Sequence, residues 1–359
     1  MIRKELLDKL ERVAPALSNN NLVPILSHFW FRDDTLLAYN DQIAISTKLA
    51  ADFEGAIPDT LISLLSVSKA KEVEFMTGKG PDGKALPAGQ LLVKAASSRL
   101  KLPYLNVEDT NIFEMPEADA ESALPIDMAA FLEALDSCTR SLKEDTSMPD
   151  SLGITLSYKN KGIDLYATND ATISYARVST KKEMDDFRVV ISGAFCREML
   201  SLAKESGTKH FEINPEGYSL FQCGDNKLFG RLVDIPRPLD FDGVIASQFP
   251  KAAQKGLVPV PSKLELILDR AIIITESKAD RPRTEISLSE GIAKFFSQSE
   301  KGEVRDQMQV GENHPDVSLA IDPRLFKNGY NGSFDKMLLT ERCLIMVKGH
   351  SLYLVSTSN

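Results

Sequence analysis

The chain has 359 residues, of which 43% are apolar and 26% charged, and its net charge is −9. This is the composition of a soluble globular protein with real cores and length for two or three domains. No apolar run approaches membrane-spanning length, and an acidic chain can meet nucleic acid only through locally segregated basic residues.

The opening residues, MIRKELLDKLERV, read as a charged amphipathic helix over 3–17 and not as a signal peptide. Strands are predicted at 25–31, 36–39 and 43–50, then a helix over 59–69 and strands at 72–77, 90–95 and 99–103. The loop at 78–89 contains GKG but no GxxxxGK(S/T), so it reads as a hairpin loop and not a phosphate cradle. A second helix-led block follows. Met128, Phe131, Leu132, Leu135, Cys138 and Leu142 form the apolar stripe of a helix over 127–142 that lies on a sheet. Strands at 163–168, 172–178 and 187–191 lead to Ser192, an N-cap opening a helix with Phe195, Met199, Leu202 and Ala203 on one face. Strands at 210–213, 219–222 and 229–233 close that block. A third begins with a helix over 262–276 and closes with strands at 336–339, 343–347 and 352–356. Proline density places boundaries near 116–123 and 247–261.

The three blocks are copies of one unit. A polar turn after an apolar strand recurs at Asn40-Asp41, Asn169-Asp170 and Ser299-Glu300, 129 and 130 residues apart. A strand-ending isoleucine before helix-start chemistry recurs at Ile57, Ile191 and Ile321, 134 and 130 residues apart. A period of a whole domain implies a chain of similar domains and not a solenoid.

Catalytic chemistry is sparse. His28, His210, His314 and His350 show no metal-binding spacing, and no GxSxG, GxGxxG or P-loop occurs. Asp41 and Asp170 sit at turns, where such side chains bond local backbone. Cys138, Cys196, Cys223 and Cys343 lie far apart and form no CxxC pair, which fits buried free thiols in a reducing cytosol. Neither a metal nor a cofactor is expected.

Four stretches in register carry a resemblance: VPILSHFWFRDDTLLAYNDQIAIS (23–46), YATNDATISYARV (166–178), LFGRLVDIPRPLDFDGVI (228–245) and LDRAIIITESK (268–278). Together with the threefold repeat, the chain resembles the bacterial-type sliding clamp, the beta subunit of DNA polymerase III, over nearly its whole length. That resemblance implies an α+β fold of three clamp domains, 1–121, 122–249 and 250–359, each with two helices packed on antiparallel sheets. The domains would form an arc, and two chains would close head to tail into a homodimeric ring. It implies a non-catalytic cytoplasmic processivity factor, of bacterial or viral origin. The ring would encircle duplex DNA without reading sequence, and would bind a replicative DNA polymerase and a clamp loader through peptide motifs, with no membrane partner.

The sites follow from the same resemblance. The channel would draw on Arg12, Lys69, Lys71, Arg140, Lys143, Arg197, Lys204, Arg270 and Lys327. The partner-peptide pocket would use Thr168, Thr172, Ile173, Pro238, Val244, Cys343, Ile345, Leu354 and Val355. The ring interface would bring Ile273 and Ile274 of one chain to the stretch from Leu105 to Phe113 of the next. Ile273 falls off the buried stripe of its helix and is the better contact. The chain departs from the family at Asp170-Ala171-Thr172, where Gly-His-Arg is usual, and in its tail, Ser356 to Asn359. Asn20 stands where a loop arginine is expected, and Ser192-Gly193-Ala194 replaces a basic helix start. The other reading from these residues is a clamp-like protein-interaction scaffold that does not encircle DNA.

Overall fold

The computed structural model describes residues 1–18, 23–79, 85–105, 113–143, 151–169, 171–214, 217–235, 238–250, 256–276, 282–310, 316–330 and 334–357. Asn20 and Asp170, both singled out above, lie outside them. Seven α-helices occur among these residues: α1 (Arg3–Val13), α2 (Thr60–Val67), α3 (Met128–Thr139), α4 (Gly193–Leu202), α5 (Phe241–Gln248), α6 (Leu264–Thr275) and α7 (Pro323–Tyr330). The chain forms two compact units, one of residues 1–124 and 197–232, the other of residues 125–196 and 233–359.

Local chemistry sets the helix ends. The helix predicted over 3–17 ends at Val13 and tightens into a 3-10 turn at Ala14–Ala16, because Pro15 has no N–H to continue the ladder. Asp127 caps α3 by accepting from the backbone N–H groups of Ala129 and Ala130 at 2.9 and 3.2 Å. Ser192 Oγ accepts from Phe195 N at 3.1 Å at the start of α4. The strand predicted at 25–31 starts only at His28, since Pro24–Ser27 forms a 3-10 turn with Ser27 Oγ donating to the Pro24 carbonyl.

The repeat is visible in the turns. The polar side chain of each landmark accepts a backbone N–H two residues on: Asn40 from Gln42, Asn169 from Ala171 and Ser299 from Lys301. Just before each lies a two-residue hairpin with positive φ at both central residues, at Asp33-Asp34, Asn160-Lys161 and Glu290-Gly291. That geometry matches the right-handed twist of the flanking strands.

In the first unit, a seven-stranded sheet runs in the order Lys209–Asn214, Tyr218–Cys223, Asn226–Arg231, Ile43–Lys48, Thr35–Tyr39, His28–Arg32, Gly55–Pro58. Its central seam pairs Leu228 with Ile45 and Phe229 with Ala44. A separate three-stranded sheet, Val73–Met76, Gln90–Ala95 and Ser98–Pro103, ends in the exposed edge strand Ser98–Pro103. Leu6, Leu10 and Val13 of α1 and Leu61 and Leu65 of α2 are fully enclosed, each stabilising the unit by about 2 kcal/mol.

In the second unit, an eight-stranded sheet runs Phe187–Ser192, Gly153–Lys159, Gly162–Thr168, Thr172–Ser179, Ser351–Ser356, Cys343–Lys348, Lys336–Leu339, Val258–Pro259. Here the seam pairs Ile173 with Leu354 and Tyr175 with Leu352. A four-stranded sheet, Gly302–Gln309, Ile292–Ser299, Thr284–Ser289 and Val317–Ile321, packs beneath α6 and ends in the exposed edge strand Gly302–Gln309. Both seams follow one rule: the third strand after the leading helix pairs with the last strand of a three-stranded block.

No range is predicted for the third block's strands Thr284–Ser289, Ile292–Ser299 and Gly302–Gln309, for the strand Gly55–Pro58, or for two further elements, the strand Gly153–Lys159 and the helix α5. The first sits between stretches of mixed polarity. The second has only two turns, opened by Asp240 accepting from Gly243 N at 3.0 Å.

A buried carboxylate fixes the second unit's first hairpin. Asp164 is 1% exposed. Arg177 Nη1 donates to both of its oxygens at 2.8 Å, and Tyr175 OH donates to Oδ1 at 2.9 Å. Removing one partner of such a pair leaves the other charge uncompensated. Asp164→Ala is therefore expected to destabilise the second unit by about 3 kcal/mol, read as a lower urea midpoint.

Candidate functional site

One apolar face in the second unit gathers most of the expected pocket. Ile173, Cys343, Ile345 and Leu354 are buried in one cluster with Tyr166, Phe241, Leu338 and Leu352, and Val244 packs against it. Thr172 is buried and donates from Oγ1 to Ser141 Oγ at 3.0 Å. Thr168 Oγ1 turns back to the Asn169 and Thr172 carbonyls. Pro238 is exposed at the approach to α5. Val355 differs: it packs with Tyr353 in the cluster of α6 and α7, on the other side of the sheet. Strand alternation sends neighbours Leu354 and Val355 to opposite faces, so only one of them can line this pocket. The same alternation points to Leu352, which the sequence reading omitted.

The site has a polar border. Asp242 of α5 pairs with Lys159 and accepts from Tyr166 OH at 2.6 Å. Burial works against a charged Asp242, but hydrogen bonds from Lys159 and Tyr166 outweigh it and hold the carboxyl below its usual range. Burial, with Asp242 beside it, pushes the Tyr166 hydroxyl strongly upward, so it remains a donor. Neither Asp242 nor Lys159 carried a sequence signal, because the two lie far apart in the chain.

The nine basic candidates divide into two groups. Four are held by anions of the protein itself: Arg12 by Glu205, Arg140 by Asp136 at 3.0 Å, Arg270 by Asp306 at 2.6 Å, and Lys327 by Asp269. Arg140 also donates to the Gly329 carbonyl at 3.2 Å, tying the end of α3 to α7. The hydrogen bond from Lys327 to Asp269 raises the lysine's pKa. The other five, Lys69, Lys71, Lys143, Arg197 and Lys204, are exposed. Across α1, α2, α3, α4, α6 and α7, acidic and basic residues are equal in number, whereas the chain as a whole stands at −9. The acidic excess therefore lies off these helices.

Two large apolar side chains of α6 face solvent: Ile273 at 63% and Leu266 at 60% exposure. They are seven residues apart, hence on one face of the helix. Ile274 is half-buried. In the first unit, Leu105 and Phe113 serve their own packing. Leu105 forms a backbone bridge with Ala56, and Phe113 stacks on Tyr39 with centroids 4.3 Å apart. The free feature near them is the edge strand Ser98–Pro103, where Arg99 and Lys101 are exposed. Among the described residues, no group of three His, Cys, Asp or Glu is placed to hold a metal ion, and no helix is long and apolar enough to cross a membrane.

No protein-family model matches the chain, and no curated protein sequence matches it. Solved structures do. The DNA polymerase III beta subunit of Thermotoga maritima is 16% identical with a TM-score of 0.81, and the DNA polymerase sliding clamp of Bacillus subtilis is 14% identical with a TM-score of 0.82. The sliding clamp of Pseudomonas aeruginosa, solved bound to griselimycin, is 17% identical with a TM-score of 0.81. Each match covers 100% of this chain and 98% of the other. The likeness establishes the fold: α+β, built from repeated helix-and-sheet domains as in the sliding clamps.

Proposed function

We propose that the protein is a DNA polymerase processivity clamp. Two copies would close head to tail around duplex DNA and tether a replicative polymerase, with no catalysis by the clamp itself. The observation that carries this reading is the pairing rule of the two seams. Asn226–Arg231 joins Ile43–Lys48, and Ser351–Ser356 joins Thr172–Ser179. Applied once more, the rule joins Ser98–Pro103 to Gly302–Gln309, which are both edge strands of their own sheets. Within one chain these end the series, so a second copy supplies each missing partner. A heterologous contact of this kind forms a ring when its rotation closes.

Three domains at 1–121, 122–249 and 250–359 fit this scheme, each contributing one four-stranded and one three-stranded block. The exposed basic side chains on the helices would meet phosphates without reading bases. The apolar face of Ile173, Cys343, Ile345 and Leu354, against which Val244 packs, would receive a peptide segment of the polymerase or clamp loader. Tethering raises the polymerase's effective concentration at the primer end. Full coverage of the sliding-clamp structures supports this over the scaffold reading.

The test is solution mass by light scattering, with retention on nicked circular DNA before and after linearisation. A dimer that stays on circles and runs off linear DNA is the expected result. A monomer that ignores DNA would overturn the reading in favour of the scaffold.

A further inference from the structure

The apolar face assigned above to partner segments is covered by the protein's own helix α5. Phe241 is buried there, and Val244, Ile245 and Phe249 pack against the same cluster. The Phe241 ring lies on Tyr166, with centroids 5.0 Å apart and planes 15° from parallel. Cys343 is 1% exposed, with its Sγ 3.8 Å from Gln248 Oε1 of the same helix.

What holds α5 down is mainly this apolar packing, which a partner segment can replace, since its polar ties are few. Eight residues with a glycine inside are too few for a helix stable by itself. Its polar ties are the Asp242 contacts with Lys159 and Tyr166, and the donation of Arg188 Nη2 to the Leu239 carbonyl at 2.7 Å. The Asp242 side chain is 61% exposed, so water reaches this tie.

We propose that α5 is a displaceable internal occupant of this face, a strap that unlatches at Asp242. The inference rests on the reading that the face is a partner pocket. The segment that takes its place must present two or three apolar side chains in place of Phe241, Val244 and Ile245. It is also expected to carry an acidic residue beside them, because Asp242 in leaving abandons the Tyr166 hydroxyl and leaves the Lys159 ammonium only the longer contact with Asp164 at 3.6 Å. An apolar segment flanked by a basic residue would meet Lys159 with like charge and bind poorly.

The test uses the four buried cysteines as position markers. The native full chain is pulsed with N-ethylmaleimide, and each cysteine is quantified by peptide mass spectrometry. Cys343 is expected to react at least about tenfold faster than Cys138, Cys196 and Cys223, because local opening costs less than global unfolding. Asp242→Ala should accelerate Cys343 by a further ~tenfold and leave the other three unchanged. The proposal is overturned if all four cysteines react together in wild type, or if Asp242→Ala leaves Cys343 at the wild-type rate. Should Asp242→Ala accelerate all four through loss of fold, Lys159→Met removes the other side of the latch. An unchanged Cys343 rate in that variant also overturns the proposal. The readout needs neither DNA nor a polymerase, so a failed clamp assay and a strap that does not open are separate results.

Discussion

Ile273→Asp is expected to yield a monomer in light scattering where the wild type is expected to give a dimer. Ile273 is exposed, so the substitution breaks no contact of the isolated chain and its melting temperature should stay within a few degrees of wild type. In the ring, α6 lies over the sheet whose edge strand, Gly302–Gln309, would take up Ser98–Pro103 of the next chain. Leu266 and Ile273 on α6 would then be buried beside that new ladder. An aspartate in that place must be desolvated without a partner, or the ladder must stay open. Such burial costs several kcal/mol, and about 3 kcal/mol already weakens a dimer roughly hundredfold. A dimer mass unchanged by Ile273→Asp would move closure to some other surface and remove the pairing rule as its basis.

How much of this was legible in the sequence depended on the range of the interaction. The threefold repeat was, because Asx-type turns and strand-ending isoleucines are local features that survive divergence. Ser192 and Asp127 announced helix starts for the same reason. The two-residue hairpins at Asp33-Asp34 and Asn160-Lys161 gave no such warning, since they lack the glycine that usually marks positive φ. Helix α5 was hidden because its apolar residues occupy only two turns in a proline-dense stretch. In the site, Ile173, Ile345 and Leu354 were placed on one face, while Val355 went to the other by simple alternation. Leu105 and Phe113 follow the exposed edge strand Ser98–Pro103, but their own contacts lie within their unit. Ion pairs such as Arg12 with Glu205 join residues nearly two hundred positions apart. No reading of spacing could have shown that four of the nine basic candidates are already answered by carboxylates.

That last point determines where DNA contact should be sought. A cation already hydrogen-bonded to a carboxylate must give up that bond to meet a phosphate, so it adds little to affinity. Exposure singles out Lys69 and Lys71 after α2, Lys143 after α3, Arg197 within α4 and Lys204 just after it as the candidates most open to a phosphate. With the helices charge-balanced as a whole, affinity for open duplex should be weak, and a closed ring needs no more, since topology keeps it on the strand. Arg197→Glu with Lys204→Glu is expected to lower binding to a linear duplex at about 50 mM salt by ~100-fold, or roughly 3 kcal/mol. Neutralising phosphates releases counterions, so the slope of log affinity against log salt should also flatten by about 2 for each chain. The dimer mass and melting temperature should not move, because both side chains lie on the surface. Fluorescence anisotropy with a labelled duplex reads the first effect, and the same titration at several salt concentrations reads the second. An affinity lost at a single salt concentration with an unchanged slope would mean that the charges act at a distance and touch no phosphate. Undiminished binding would take the α4 face out of the DNA channel and leave Lys69, Lys71 and Lys143 as its remaining exposed cations beside a helix.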